Sequence, residues 1–328
     1  MEGVTSATLE RAADRLASLL TGAPGPLADP RGSDLEFEAE VRLQPLARGA
    51  APADAWAVDG GQALVADARC LQVVVTRAAR VRFRGGACVE EDEGVLRAAV
   101  LGAGGGATAR DDLDVPGLAA DAPIDVHLLR DRWEWDAVAR SVEDCEPGGL
   151  VLVDGDLATD WRLPDALLGE LLARAAERGV VVVAVTKHSS LARAGAPLLG
   201  LLELEAEALL GRREMWWAPV ARRPGRAGPD IRVVAARLDP DARFAFRIDL
   251  PADVDAEGVL GTLAALSDDA AFPGYPYPLS VADRLAACPG WLRADVRLRL
   301  EELLDANGVP LAVRERAFAD RHDLMERS

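Results

Sequence analysis

Residues 148–160, GGLVLVDGDLATD, set an uninterrupted apolar run directly before two carboxylates, Asp154 and Asp156. A charged group beside a buried strand is costly to desolvate unless something compensates it. Further acids have comparable settings. Asp59 lies in WAVDGG, whose glycines let the backbone turn and approach a ligand closely. Glu134 lies in RWEWDAVA, ahead of the central strand, and Asp283 lies in PYPLSVADRLA. Carboxylates gathered from separate segments raise each other's pKa unless a cation sits among them. Hard oxygen donors suit manganese or magnesium. Two such ions about 4 Å apart activate a water and steady the leaving oxygen in phosphodiester cleavage. The predicted metal ligands are therefore Asp59, Glu134, Asp154 and Asp283. An Asp-Gly after a strand is also an ordinary turn, so the reading rests on the set and not on any member. Asp156, two residues beyond Asp154, either orients ligands from behind or caps the following turn.

Such acids need a scaffold that brings distant segments to one edge. RDRWEWDAVARSVEDCE (130–146) reads as a helix and GLVLVDGDL (149–157) as a buried strand. LPDALLGELLARAAERG (163–179) reads as a helix closed by glycine, and VVVVAVTKHSS (180–190) as a second buried strand. Helices alternating with continuous apolar strands indicate a parallel sheet covered on both faces. Ahead of them, AWAVDGGQALV, CLQVVVTRAARVRFRG (70–85) and IDVHLL (124–129) read as strands. The Gly-, Asp- and Ala-rich stretch 86–122 reads as surface loop. Its GAGGGA lacks a leading strand and a following Gly-Lys-Ser/Thr, which argues against a phosphate loop. Hairpin strands first, then helix and parallel strands, is the layout of the ribonuclease H-like fold.

Later segments extend the sheet. REMWWAPVA, IRVVAARL and RFAFRIDL (243–250) read as strands, followed by helices near 255–267 and 291–305, with Asp283 expected at a helix start. TLERAADRLASLL (8–20) is an amphipathic helix ended by the Pro/Gly-rich stretch 22–32. The expected organisation has an N-terminal helical segment, 1–32, for dimer or partner docking. One α/β domain with a mixed sheet flanked by helices follows over 54–290, then a C-terminal helical extension over 291–328.

The chain has 328 residues, half of them apolar, and a formal net charge of −17. Cys70, Cys88, Cys145 and Cys288 are scattered without a CxxC pair, which indicates reduced thiols. Apolar runs such as 179–186 are too short to cross a bilayer, and the N-terminus lacks a basic-then-apolar signal, so the expectation is a cytoplasmic protein with no membrane contact. The negative charge argues against coating nucleic acid by simple attraction. A nucleic-acid enzyme remains compatible, because metal-holding carboxylates enter the formal tally. The best nucleic-acid signature is GRREMWWAPVARRPGR (211–226), which interleaves Arg212, Arg213, Arg222, Arg223 and Arg226 with Trp216 and Trp217. Arginines neutralise phosphates and indoles stack on unpaired bases. The alternative is a strand pair with its tryptophans in the core or a dimer interface.

WAVDGG, LVLVDGDL, VVAVTKHSSLARAG and GYPYPLSVADRLA occur in this order between 56 and 287. With this ordered set the sequence resembles the NurA family, nucleases that work with the hexameric HerA translocase in DNA end processing. The resemblance implies a ribonuclease H-like core, a homodimeric ring threaded by DNA, and cleavage dependent on manganese, with the choice between manganese and magnesium left open. It implies single-strand endonuclease and 5′-to-3′ exonuclease action. The family's aspartates fall on Asp59 and Asp154, its helical glutamate on Glu134, and its late His-or-Asp position on Asp283. Glu143 and Glu146 share the helix with Glu134 and are the other registers. Lys187 matches the family lysine and would hold the scissile phosphate; a solvated strand-end lysine is the alternative. His188 beside it is a second polar candidate behind the ligands, while His127 and His322 lack motif support. A second function stays open: a catalytically weakened NurA-like subunit that docks on the translocase and gates DNA. With so acidic a chain, DNA binding by the isolated protein should be weak and salt-sensitive. Anisotropy titrations across a salt series check this, and tight binding at physiological salt contradicts it.

Overall fold

A computed structural model describes residues 3–20, 25–31, 34–102, 109–110, 113, 115 and 117–319. After a helix, α1 (Gly3–Leu20), the central sheet begins with β1 (Ala55–Asp67) and β2 (Leu71–Arg84), an antiparallel pair. β3 (Ala87–Asp92) and β4 (Arg97–Gly102) both pair with β2. Helix α2 (Val126–Asp144) then leads to β5 (Leu150–Asp154), and α3 (Asp165–Glu177) to β6 (Val181–Thr186). β5 lies parallel to β1 on one side and to β6 on the other. Helix α4 (Leu198–Leu209) precedes β7 (Trp216–Arg223), β8 (Ile231–Arg237) and β9 (Phe246–Pro251), which continue the sheet antiparallel beyond β6. Helices α5 (Ala256–Ala264), α6 (Tyr277–Ala286), α7 (Gly290–Ala306) and α8 (Leu311–Ala317) follow among the described residues. This is the mixed α/β, ribonuclease H-like arrangement that the order of the segments predicts.

Alternation along β1, β5 and β6 divides the core in two. Ala57, Leu152, Val183 and Val185 face Leu260 and Leu263 of α5 and Leu279 and Ala282 of α6. Trp56, Val58, Val151, Val153 and Val182 face α2 and α3. Residues 27–28 pair with 192–193, while 36–37 and 44–45 pair with β7, so the segment after α1 is strapped to the domain. Among the described residues no helix is long and apolar enough to cross a membrane. All four cysteines are unpaired.

Three local expectations are corrected. The stretch 86–122 holds β3 and β4 and also buries Ala109 and Leu113. β3, ACVEED, is acidic and exposed, and β4, RAAVLG, buries only Leu101, so neither shows the alternating apolar pattern of a strand. IDVHLL is the start of α2, where Asp125 caps the helix by accepting from the Leu128 amide at 2.9 Å. Asp283 lies in the last turn of α6, not the first, because the helix already begins at Tyr277.

Two glycines in β1 set how closely the helices approach. A Cβ on Gly61 would overlap the Ala286 carbonyl oxygen at the end of α6. Arg77, opposite Gly61 on β2, donates from Nε to that oxygen at 3.1 Å and from Nη2 to the Ala287 carbonyl. It thus satisfies carbonyls the helix leaves open. Gly61→Ala should destabilise the fold by about 1–3 kcal/mol in chemical denaturation, since backbone must move. Gly200→Ala in α4, where a Cβ meets nothing within 4 Å, should be neutral or stabilising. Equal effects of the two would refute this account.

Candidate active site

Two neighbouring parallel strands carry the first two acids. Ala57 pairs with Leu152 and Val58 with Val153, so Asp59 and Asp154 follow side by side, one step further. Each shares its face with the alanines or leucines two residues earlier, the face covered by α6. Asp283 comes down from α6 onto the pair. One carboxylate oxygen from each of Asp59, Asp154 and Asp283 lies within 4.8 Å of the others. Asp59 is buried, Asp154 half-buried and Asp283 exposed, so the cluster opens to solvent through α6.

Glu134 reaches the same place from the other side of β1. Gly60 admits it: a Cβ there would stand 2.6 Å from Glu134 Oε2 and 3.0 Å from Arg130 Cγ. The Glu134 side chain is buried on α2, whereas Glu143 ion-pairs with Arg174 and Glu146 lies beside Arg82 and Arg84. Of the three glutamates on that stretch, Glu134 is the one against the cluster.

Electrostatics agree with crowding. Burial, then the charges of Asp154 and Asp283, push the Asp59 carboxyl up to about 7. Burial also holds Glu134 well above the usual carboxylate range; Arg130 offsets part of this and the Asp59 charge adds to it. Lys187 counters the repulsion: its Nζ is 2.7 Å from Asp154 Oδ2 and 3.1 Å from Asp283 Oδ1. Burial alone would lower its pKa, but the two carboxylates outweigh it and raise it. The ammonium also lies 5.1 Å from the centroid of the buried Tyr275 ring, whose phenol is raised by burial and by Asp154. The donor set is wholly carboxylate oxygen, poised for a hard divalent cation.

Several contributors are not singled out by motif or spacing. Arg77 fixes the end of α6, and Tyr275 packs beside Asp154. Asp131 is pushed up to about 6 by burial and accepts from the Asp160 amide at 2.8 Å. One compositional signal was available for Lys187, which is the single lysine among 37 basic residues.

Other candidates lie elsewhere. Trp216 and Trp217 are 1% and 8% exposed, so neither indole face is free for a base. Their strand is paired on both edges and covered by the core, which corrects the stacking expectation. Arg213 pairs with Asp241 and Arg222 with Asp230, Arg212 lies 3.6 Å from Glu207, and Arg223 donates to the Leu157 carbonyl. Asp156 turns away from the cluster: it accepts from Thr186 Oγ1 at 2.6 Å and from Arg31 Nη2 at 2.7 Å. It therefore does not orient the other acids. His188 is exposed on the turn and makes no hydrogen bond or ion pair with the acids; His127 Nδ1 is 3.4 Å from Gln62 Nε2. His322 lies outside the described residues.

Comparison with known proteins finds similar folds. No curated protein matches the sequence. The NurA nuclease of Sulfolobus solfataricus is similar in structure, with a TM-score of 0.57 at 15% identity over 93% of this chain and 95% of that one. A second NurA crystal structure aligns with a TM-score of 0.50 at 10% identity over 86% and 93% of the two chains. A family model of the NurA domain matches residues 56–288, the span from β1 to the end of α6 that carries all four acids. On that match the chain belongs to the NurA family.

Proposed function

We propose that the protein is a metal-dependent DNA nuclease that hydrolyses phosphodiester bonds in DNA end processing, together with a HerA-type hexameric ATPase. The convergence of Asp59, Asp154 and Asp283 within 4.8 Å carries this reading. Manganese is the expected ion, with magnesium the other candidate; Asp59, Asp154, Asp283 and Glu134 would hold it. A divalent cation bound there supplies positive charge against the attacked phosphate and eases deprotonation of the attacking water.

The remaining work falls to the chain. Asp59 and Asp154 are held by adjacent strands, so their spacing is set before substrate arrives. Lys187, on the turn after β6, is free at its stem to exchange carboxylates for a phosphate oxygen and to offset transition-state charge. Glu134, buried and raised, is suited to accept a proton from the water. Family likeness supports single-strand endonuclease and 5′-to-3′ exonuclease action. The exposed Leu9, Leu16 and Leu20 of α1 and Trp291 and Leu298 of α7 support self-association or docking on the translocase through the two end helices. The weakened-subunit reading loses ground, because Glu134 reaches β1 and Asp283 joins the cluster.

Asp59→Ala and Asp154→Ala should each lower manganese-dependent cleavage of single-stranded DNA by at least about 100-fold. Variants that cut as fast as the parent would sink the assignment. A second expectation concerns stability without metal. The folded Asp59 value of about 7 exceeds its ordinary unfolded value, so the stability it confers is complete below about pH 4 and is lost as pH rises through 7. In EDTA the unfolding free energy should therefore fall between pH 5 and 7.5, by on the order of 3 kcal/mol from this group. Asp59→Asn should flatten that slope and raise the neutral-pH melting temperature. A parent whose metal-free stability is flat across this range contradicts the electrostatic account.

A further inference from the structure

The same end of the sheet carries a second polar centre, on the opposite face. Arg247 pairs with Thr186 in the β9–β6 register, while its neighbours Ile248 and Leu250 belong to the α5–α6 core. Arg247 and Asp249 therefore point towards α3. The Arg247 side chain is 2% exposed. Its Nε and Nη2 donate to the two Asp249 oxygens, both at 2.8 Å. Its Nη1 lies 3.3 Å from Asp156 Oδ2 but makes no hydrogen bond. Beside it, Arg223 donates to the Leu157 carbonyl and, among the described residues, has no carboxylate in ion-pair reach. Burial and the Arg247 charge lower its pKa, against the pull of Asp249.

Both guanidiniums line a cavity of about 590 Å³ between the β5–α3 turn, the β7–β8 turn and Asp29, Arg31 and Asp34. That volume is in the range of small-ligand sites. Four arginines and four aspartates line it, so it is neutral in a chain of net charge −17. Arg226 is engaged by Asp34 and Asp165, Arg31 by Asp156, and Arg247 by Asp249 and Asp156, which leaves Arg223 as the cation without a carboxylate partner, with the unbonded Arg247 Nη1 beside it. At the rim stands Trp161, 80% exposed. Its turn is braced by Arg162, which pairs with both Asp160 and Asp125 and lies 5.6 Å from the Trp161 ring centroid. A large aromatic ring held out beside an arginine with no carboxylate partner and the open Nη1 of a second matches one ligand chemistry: a phosphate bearing a planar base.

We propose that this cavity binds one nucleotide unit of a DNA single strand, its phosphate on Arg223 and Arg247 and its base against Trp161. Asp156 at its wall is two residues from Asp154, about 7 Å of extended chain, so a strand crossing the Gly155 turn meets both places. The inference deepens the nuclease reading by giving the strand a hold apart from the metal ligands. It is tested in EDTA, where the carboxylate cluster contributes no metal-bridged binding.

Anisotropy of a 3′-fluorescein-labelled oligodeoxythymidine would be measured on the full chain at low salt, with Trp161→Ala and Arg223→Gln. Each substitution should weaken binding about 5- to 100-fold, the range expected for one stacked base or one phosphate contact. Trp161 is exposed, so that variant remains folded and keeps the test valid should Arg223→Gln unfold. Paired oligonucleotides with a 5′-phosphate or a 5′-hydroxyl separate the two sources of the phosphate. Greater loss with the 5′-phosphate assigns a strand terminus, and equal loss assigns an internal phosphodiester. Parent-like binding by both folded variants overturns the proposal, whatever the cleavage assay reports. Normal cleavage loss in Asp59→Ala with no effect here would leave the nuclease reading standing and this site refuted.

Discussion

Asp59 and Asp154 leave adjacent parallel strands on the same face, and the pleat gives neither room to turn away. Asp283 and Glu134 press in from helices on opposite faces. Charged groups at such spacing disfavour one another, and burial adds to the penalty at Asp59 and Glu134. Much of the surrounding structure makes sense as a response. Lys187 stands between Asp154 and Asp283, Arg130 tempers Glu134, and the buried Tyr275 closes one side. A divalent cation would relieve what these groups only partly offset.

The crowding is made possible by absent side chains as much as by present ones. Gly60 and Gly61 thin β1 at the point where α2 and α6 come nearest. Arg77, opposite Gly61, ties down the last carbonyls of α6, so the helix carrying Asp283 is held by a strand it does not follow in sequence. Removing this close approach would leave each acid intact and the cluster dispersed. The strain is local, while the cores on the two faces of the sheet supply the stability to sustain it.

A second grouping at this end of the sheet follows different rules. Around Arg247, Asp249 and Asp156, one arginine serves two carboxylates and Arg31 meets the second, so desolvation is largely compensated. The acidic cluster wants a cation and the balanced network tolerates an anion at its margin. One edge of one sheet therefore presents complementary demands on its two faces. This matches a ligand that carries phosphate and is met by metal, in a protein whose overall charge would otherwise repel it.

The sequence by itself determined the central buried strands and most of the surrounding helices and singled out the four acids as candidates, because buried parallel strands are continuous apolar runs and their polar ends stand out against them. The run ending in Asp154, the WAVDGG segment and the lone lysine are legible without coordinates. Exposed edge strands such as β3 and β4 are not, since β3 is acidic and both bury little. Nor is the fate of Trp216 and Trp217, whose burial depends on strands pairing from residues 44–45 and 231–237. Asp154 and Asp156 make the point most sharply. They are two apart and alike in type, yet one joins the acids under α6 and the other joins arginines on the opposite face. Only tertiary structure could divide them, because the turn at Gly155, with its positive φ of 116°, and the partners contributed by distant strands decide which way each carboxylate faces.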